Sequence, residues 1–390
     1  MKNLKLSLIA ALAIGVTTTS GATTLSEALT NGKVSGEFTA TYENRNFKKD
    51  TSSYYRDSAY SVGSFALKYQ TGVWNNLSLT SKFRAYGTIF EDNDDSNTGT
   101  GTGDATGRFH EKDGSSQTAD IEELFLAYKL DNVSLIAGRQ FIATDWMNKT
   151  QDAVRLNAKY NDTSIEAIWS LRQGRVYSRE YFPMTKINDG KGVYKLGLTQ
   201  KLNDNLSATA YGLVMPDKEN IYGAKANIQL DKTSIRLQYA KSDDKDLSDD
   251  TDIDSNVIDL KIATNIAGFS PFIGFIKVDD DALFPGYMGS GETIVPFEEG
   301  DYVYNKDAQT IYLGLSKSFG DLSGTLLYGT TKYDPDDDEE SQRVHETTLW
   351  LGYQVMKDLK ANLGYTLVDE DSQSDVSDYD QLNLTLTYSY

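Results

Sequence analysis

Two histidines and no cysteine leave this 390-residue chain little of the usual equipment for catalysis. Thiolate nucleophiles, thiolate metal ligands and disulfides are ruled out by composition. His110 stands in a Gly-rich stretch beside Glu111 and Asp113, and His345 stands between Ser341 and Glu346. Any exposed histidine of so acidic a chain has such neighbours, and a hydrolase needs its base held against a nucleophile. Carboxylates are many, but no pair is singled out for glycoside chemistry. The run Gly99-Thr100-Gly101-Thr102-Gly103 lacks the Lys-Ser/Thr and the following helix of a phosphate-cradling loop. The chemistry on offer is ionic. Lys82, Arg84, Arg155, Arg172, Lys195, Lys225, Arg236 and Lys261 alternate with apolar neighbours, as do Glu37, Glu123, Glu166 and Asp259. Arg139 joins the basic set, although the segment around it alternates poorly. Rows of opposite charge along a water-filled interior would set up a transverse field, which is how pores tune selectivity. A salt-bridged wet interior with no special residue would read the same way.

Asp-rich runs fall at 243–246, 249–254, 279–281 and 336–340. None has the ligand spacing of an EF-hand loop. They read as loops kept soluble by charge, or as a divalent-cation (calcium) site, or as an acidic vestibule that concentrates cations at the mouth. No other cofactor is implied.

The elements that carry these residues are strands. Leu77, Leu79, Phe83 and Ala85 share one face of a segment whose other face holds Ser78, Thr80, Lys82, Arg84 and Tyr86. Leu124, Leu126, Tyr128 and Leu130 oppose Glu123 and Lys129. The same two-residue period recurs over 154–160, 163–172, 221–230, 234–242 and 257–264. Eighteen such segments are expected, from 33–42 to 379–390, with no convincing helix after the leader. Tight Asx- or Gly-containing turns fall at 130–133, 202–205, 231–233, 320–321 and 356–358. Long connections fall at 91–119, 173–191, 243–255, 279–307 and 334–343. Short turns alternating with long loops describe an antiparallel transmembrane β-barrel, all-β, with 18 strands. A sheet in lipid must close, because open backbone groups cannot be left there. Aromatics near strand ends, among them Tyr42, Tyr60, Phe90, Tyr160, Tyr239, Tyr333 and Tyr379, suit interface girdles.

Both ends support export. Lys2 and Lys5 precede the apolar run 6–16, and Ser20-Gly21-Ala22 supplies small residues for cleavage, so 1–22 is expected to be a signal peptide. Residues 23–390 would then be one barrel domain. Losing two lysines leaves 36 basic against 57 acidic side chains, a net charge of −21, which excludes nucleic acid as a partner. At the other end Leu382, Leu384, Leu386, Tyr388 and Tyr390 alternate with polar residues.

Thr24-Leu25-Ser26-Glu27-Ala28, then Gly32-Lys33-Val34-Ser35-Gly36, resembles the mature start of the major outer-membrane porins of campylobacter-like bacteria. Gly138-Arg139-Gln140 resembles a further segment of the same group. The resemblance implies an 18-stranded homotrimeric barrel in the outer membrane, passing ions and small hydrophilic solutes by diffusion with a preference for cations. It implies contact with lipid and lipopolysaccharide and recognition of the last strand by the barrel-assembly machinery. Some members hold calcium at acidic sites, but no ligand set carries over residue by residue. The pore-lining residues expected are Lys82, Arg84, Glu123, Arg139, Arg155, Glu166, Arg172 and Arg236. The third external connection, 143–151, is short for a constriction, which leaves 173–191 or 91–119 for that work. A substrate-specific channel, a plugged structural barrel or adhesin, and an outer-membrane hydrolase remain as other readings.

Overall fold

A computed structural model describes residues 21–49, 57–93, 103–109, 117–244, 254–285, 294–300, 302–335, 341–371 and 378–390. The expected signal peptide (save Gly21 and Ala22), His110 and the acidic run 336–340 lie outside the described residues. Nineteen strands are found among the described ones. The first six are β1 (Lys33–Phe47), β2 (Ser58–Gln70), β3 (Leu77–Glu91), β4 (Gln117–Leu130), β5 (Val133–Thr144) and β6 (Met147–Tyr160). Then come β7 (Thr163–Val176), β8 (Tyr181–Lys186), β9 (Val193–Asn203), β10 (Leu206–Met215), β11 (Glu219–Leu230) and β12 (Thr233–Asp244). The last seven are β13 (Asp254–Thr264), β14 (Phe269–Val278), β15 (Gln309–Phe319), β16 (Leu322–Tyr333), β17 (Gln342–Met356), β18 (Leu359–Glu370) and β19 (Tyr379–Ser389).

Apart from β8, which pairs only with β7, each strand pairs antiparallel with its neighbours round the ring, β7 with β9 included, and β1 pairs with both β2 and β19, so the ring closes. The ring itself has 18 strands. β7 pairs with β9 from Thr163 to Ser170 and with β8 only beyond that point. The connection 173–191, expected to be a loop, therefore contains the whole of β8. The expectation of no helix is also corrected. Thr24 caps a six-residue helix, α1 (Leu25–Thr30), by accepting from the Glu27 N–H. Ala28 of α1 is buried, and its carbonyl accepts from Gly72 N at 2.9 Å.

At one end of the ring the turns are tight. Asn76, Asp131, Asn161 and Asp231 there take positive φ, which Asx side chains tolerate. At the other end lie the long connections. Along β15, Ile311, Leu313 and Leu315 are exposed while Thr310, Tyr312 and Ser316 are buried. Leaving apolar side chains exposed on one face all round the ring makes sense only against hydrocarbon. The girdle expectation needs one correction. Phe90, Tyr160 and Tyr239 are exposed, but Tyr60, Tyr333 and Tyr379 are buried inside. Tyr60 packs edge-on to Phe109 and Tyr333 stacks on Tyr302, because connections that fold inward also need aromatic partners.

One hairpin leaves the wall. β4 and β5 pair only as far as Leu124↔Arg139, whereas β5 and β6 stay paired to Thr144↔Met147. The pivot is Gly138 at φ 127, where a Cβ would lie 2.2 Å from the Leu124 carbonyl oxygen. Only glycine allows that approach in that conformation. The tip of the β5–β6 hairpin consequently swings into the barrel.

Candidate functional site

The hairpin tip, Thr144 to Met147, is short, yet it reaches across to β9, β10 and β11. Trp146 is fully buried with φ 63, donates to the Tyr211 hydroxyl at 2.8 Å, and packs 4.9 Å from Phe284. Lys225 of β11 donates to both Asp145 oxygens at 2.7 Å. Thr144 donates to Glu166 at 2.8 Å and accepts from Lys195. The third connection therefore does narrow the interior. Its length misled because the strands, not the loop, supply the reach. Behind the tip, Ile142, Trp146, Met147, Leu213, Ile276 and Phe284 form part of an apolar core that fills one side of the barrel. On the tight-turn side of the tip lies a cavity of about 570 Å³, lined by Lys129, Lys159, Lys195, Lys225, Glu166 and Asp145 among others.

Three further inward segments meet at one guanidinium. Arg108 lies in the β3–β4 connection, where its carbonyl accepts from Tyr181 N of β8 at 2.8 Å. Its side chain reaches Glu43 of β1 at 3.3 Å, Glu180 of the β7–β8 turn at 3.2 Å and Glu299 of the β14–β15 connection at 3.0 Å. Glu299 also meets Arg45 at 3.3 Å and accepts from Gln381 at 2.9 Å. Arg179 reaches Glu298 at 3.4 Å. The acidic pair is pinned from below by Glu346 of β17. That carboxylate accepts from the backbone N–H groups of Glu298, Glu299 and Gly300 at 2.8, 3.3 and 3.1 Å. Trp350 adds a bond to Glu298 at 3.1 Å.

Electrostatics fix both signs here. Burial alone would lower the Arg108 pKa, but the carboxylates of Glu43, Glu299 and Glu180 more than reverse it and hold it well above the usual range. Burial alone would raise Glu299, but Arg108 and Arg45 hold it below its ordinary value of 4.5. A carboxyl whose folded pKa is depressed stabilises the fold above its unfolded value and stops doing so as pH falls through the folded one. The ion pairs of Glu299 with Arg108 and Arg45 should therefore hold at neutral pH and be lost in acid below 4.5. The check is single-channel conductance on stepwise acidification: a rise through that acid range is expected, and a conductance unchanged through it would contradict the assignment.

Of the residues expected to line the pore, six face the interior. Lys82 and Arg84 on β3 bind Glu122 at 2.8 Å each, and Arg84 also binds Glu37 and Ser64. Glu123 meets Lys68 at 2.7 Å. Arg155 binds Glu166 at 2.5 Å, and Arg236 binds the buried Asp259 at 2.7 Å. The two signs thus interleave along each wall. They do not divide into a basic wall and acidic loops. Arg139 and Arg172 are corrections: the register carries both to the outer face, as argued below. Sequence reasoning missed Glu122, because a bulge between Lys82 and Phe83 lets both Glu122 and Glu123 turn inward. It also missed Arg45, Arg108, Glu180, Glu298 and Glu299. Four of these sit on connections, where no periodicity announces a face. Arg45 sits on β1, past the expected strand's end.

Among the described residues no group of three or more His, Asp or Glu is arranged to hold a metal ion. Asp279 is engaged with Asn256 N at 3.0 Å, and Asp254 with Lys241. His345 bonds the Tyr328 hydroxyl at 3.0 Å and lies 3.5 Å from Asp371.

Residues 1–169 match the family described as Campylobacter major outer membrane protein. No curated protein matches the chain in sequence. Solved structures do match in fold. Pseudomonas aeruginosa OpdK superposes with a TM-score of 0.75 at 15% identity, covering 93% of this chain and 99% of its own. Acinetobacter baumannii OccAB2 gives 0.76 at 18%, with the same coverages. OpdK has also been solved with vanillate, with a TM-score of 0.74 at 14% identity over 93% of this chain and 99% of that one. These likenesses suggest a channel in preference to an enzyme. The porin barrel runs through the whole described chain, so this protein is a porin-like β-barrel of the outer membrane, similar over residues 1–169 to the Campylobacter major outer membrane protein family.

Proposed function

We propose that the barrel passes ions and small hydrophilic solutes by passive diffusion, along the charged side of an interior whose other side the β5–β6 tip and the β14–β15 connection fill. The observation that carries this reading is Arg108, a half-buried cation shared by three carboxylates from separate segments. Burying so many ionised groups dry is costly, whereas water at a constriction solvates what the pairing leaves over. The chain's charge of −19 favours cations at the mouth. We further propose a homotrimer, docking of β19 on the barrel-assembly machinery, and calcium as the divalent ion that the acidic connections would take.

The test is conductance of the purified protein in planar bilayers under a salt gradient. Stepwise conductance, in threes for a trimer, with a cation-selective reversal potential is expected. Stable insertion without conductance would sink the diffusion reading in favour of a plugged barrel. A second reading, a channel selective for particular organic solutes, is favoured by OpdK having been solved with vanillate and by the four lysines around the cavity behind the hairpin tip. It predicts that such a solute blocks the ion current at low concentration.

A further inference from the structure

Among the described residues, one charged patch of the outer wall lies on β5 to β8. On β6 and β7, Val154 and Trp169 are partners facing out, and the next outward pair is Asp152 and Arg172. Asp152 is also the partner of Arg139 on β5, which stands opposite outward Leu124. Arg139 is fully used. Its Nε donates to Asp152 at 2.8 Å, and its Nη1 donates to Asp120 at 3.0 Å and to the Ile121 carbonyl at 2.9 Å. That carbonyl lies on the part of β4 that β5 has deserted, so Arg139 patches the wall.

Arg172 is different. It is half exposed, donates to the Met184 carbonyl at 3.0 Å, and comes no closer than 3.9 Å to Asp152, whose carboxylate Arg139 already holds. Its neighbour across the β7–β8 ladder is Lys186, which is exposed and has no ion pair among the described residues. Two adjacent cations therefore share one engaged carboxylate on the outside of a strongly acidic chain.

Below them the wall is hollow. A groove of about 680 Å³ runs over β6 to β10, floored by small Ala167, Ala210 and Gly212 and rimmed by Trp169 and Tyr194, whose rings stack 6.3 Å apart. A second hollow of about 340 Å³ shares Val154 and Trp169 with it and climbs to Arg139 and Asp152. Height can be judged from Tyr160, which is 76% exposed at the tight-turn end of β6. Asp152 is eight residues further on, so at about 3.3 Å per residue and a tilt of about 40° the cations stand roughly 20 Å up an apolar band about 25 Å tall. That is about 5 Å below the headgroups of the leaflet facing the long connections, a depth from which arginine and lysine side chains snorkel to them.

We propose that Arg172 and Lys186, with the groove beneath them, bind an outer-leaflet lipid whose phosphate sits on the two cations and whose acyl chains lie along Ala167, Ala210 and Gly212. Acyl chains topped by anionic phosphate at that level are the chemistry of the lipid A part of lipopolysaccharide. An inner-leaflet phospholipid would present its phosphate at the tight-turn end.

The test uses the full-length protein in detergent, native mass spectrometry, and diphosphoryl lipid A with its dephosphorylated form as probes. Arg172→Glu/Lys186→Glu should weaken diphosphoryl lipid A by about tenfold or more, since charge-assisted phosphate contacts become repulsive. Wild type should bind the dephosphorylated form no better than that variant binds the diphosphoryl form. Ala210→Trp, which fills the groove and leaves the cations, should also weaken binding. Single-channel conductance should be unchanged in both variants, because neither touches the interior; this separates the proposal from the diffusion reading. Unaltered lipid A binding in either variant would overturn it. So would a changed subunit stoichiometry with lipid binding intact, which would make the patch a contact between copies.

Discussion

Arg108→Ala should raise single-channel conductance severalfold and make it noisy. The substitution strands Glu43, Glu180 and Glu299 around an empty place. Removing one partner of a buried ion pair typically costs about 3–5 kcal/mol, since the remaining charge is left uncompensated. The ring does not depend on this residue, so the barrel should still form. The inward connections should relieve the repulsion by moving apart, which widens the passage. Conductance histograms in bilayers provide the check, with heat-modifiable migration on gels showing that the barrel is intact. Arg108→Lys should recover only part of the effect, because one ammonium cannot present the planar fork that reaches three separate carboxylates. A conductance equal to the parent would mean that solutes pass elsewhere.

Gly138→Val should abolish the folded barrel. The new Cβ would meet the Leu124 carbonyl oxygen at 2.2 Å and the Phe125 Cα at 2.9 Å, both backbone atoms that cannot step aside. A β-branched residue at φ 127 adds strain of about 1–3 kcal/mol on top. The chain could escape by straightening β5 along β4. That would pull the Trp146 tip off Tyr211 and Phe284 and empty the apolar core on that side. Trypsin resistance and heat-modifiability should both be lost. A barrel of normal stability with raised conductance would show instead that the straightened hairpin is tolerated.

How far the sequence revealed this arrangement depends on the element. The 18 ring strands are legible because lipid on one side and water on the other impose a strict two-residue period, seen in Ile311–Leu315 and again in Leu382–Leu386. That same period located Lys82, Arg84, Glu123, Arg155, Glu166 and Arg236 on the inner face. It failed at bulges. Between Asp152↔Arg172 and Ala153↔Ser170 the register slips by one, and counting from Trp169 sends Arg172 to the wrong side. Arg139 lies past a glycine that bends the strand. The constriction was the least legible part. Arg108, Glu180 and Glu299 come together only because connections fold back across the interior, and nothing local in 91–119 or 279–307 records where they land.

The seam between β1 and β19 joins Glu37 to Ser389 and Phe47 to Tyr379 through eleven register pairs, and Gly36 and Tyr390 exchange both backbone bonds at 3.0 Å. Those partners are separated by almost the whole chain, so the last hydrogen bonds to form are also those with the greatest loop-closure cost. Before they form, an incomplete sheet carries two raw edges that hydrocarbon cannot solvate and that other chains can template on. Assembly is therefore expected to be slow and all-or-none, with unsealed chains accumulating as protease-sensitive material and no stable half-barrel beside them.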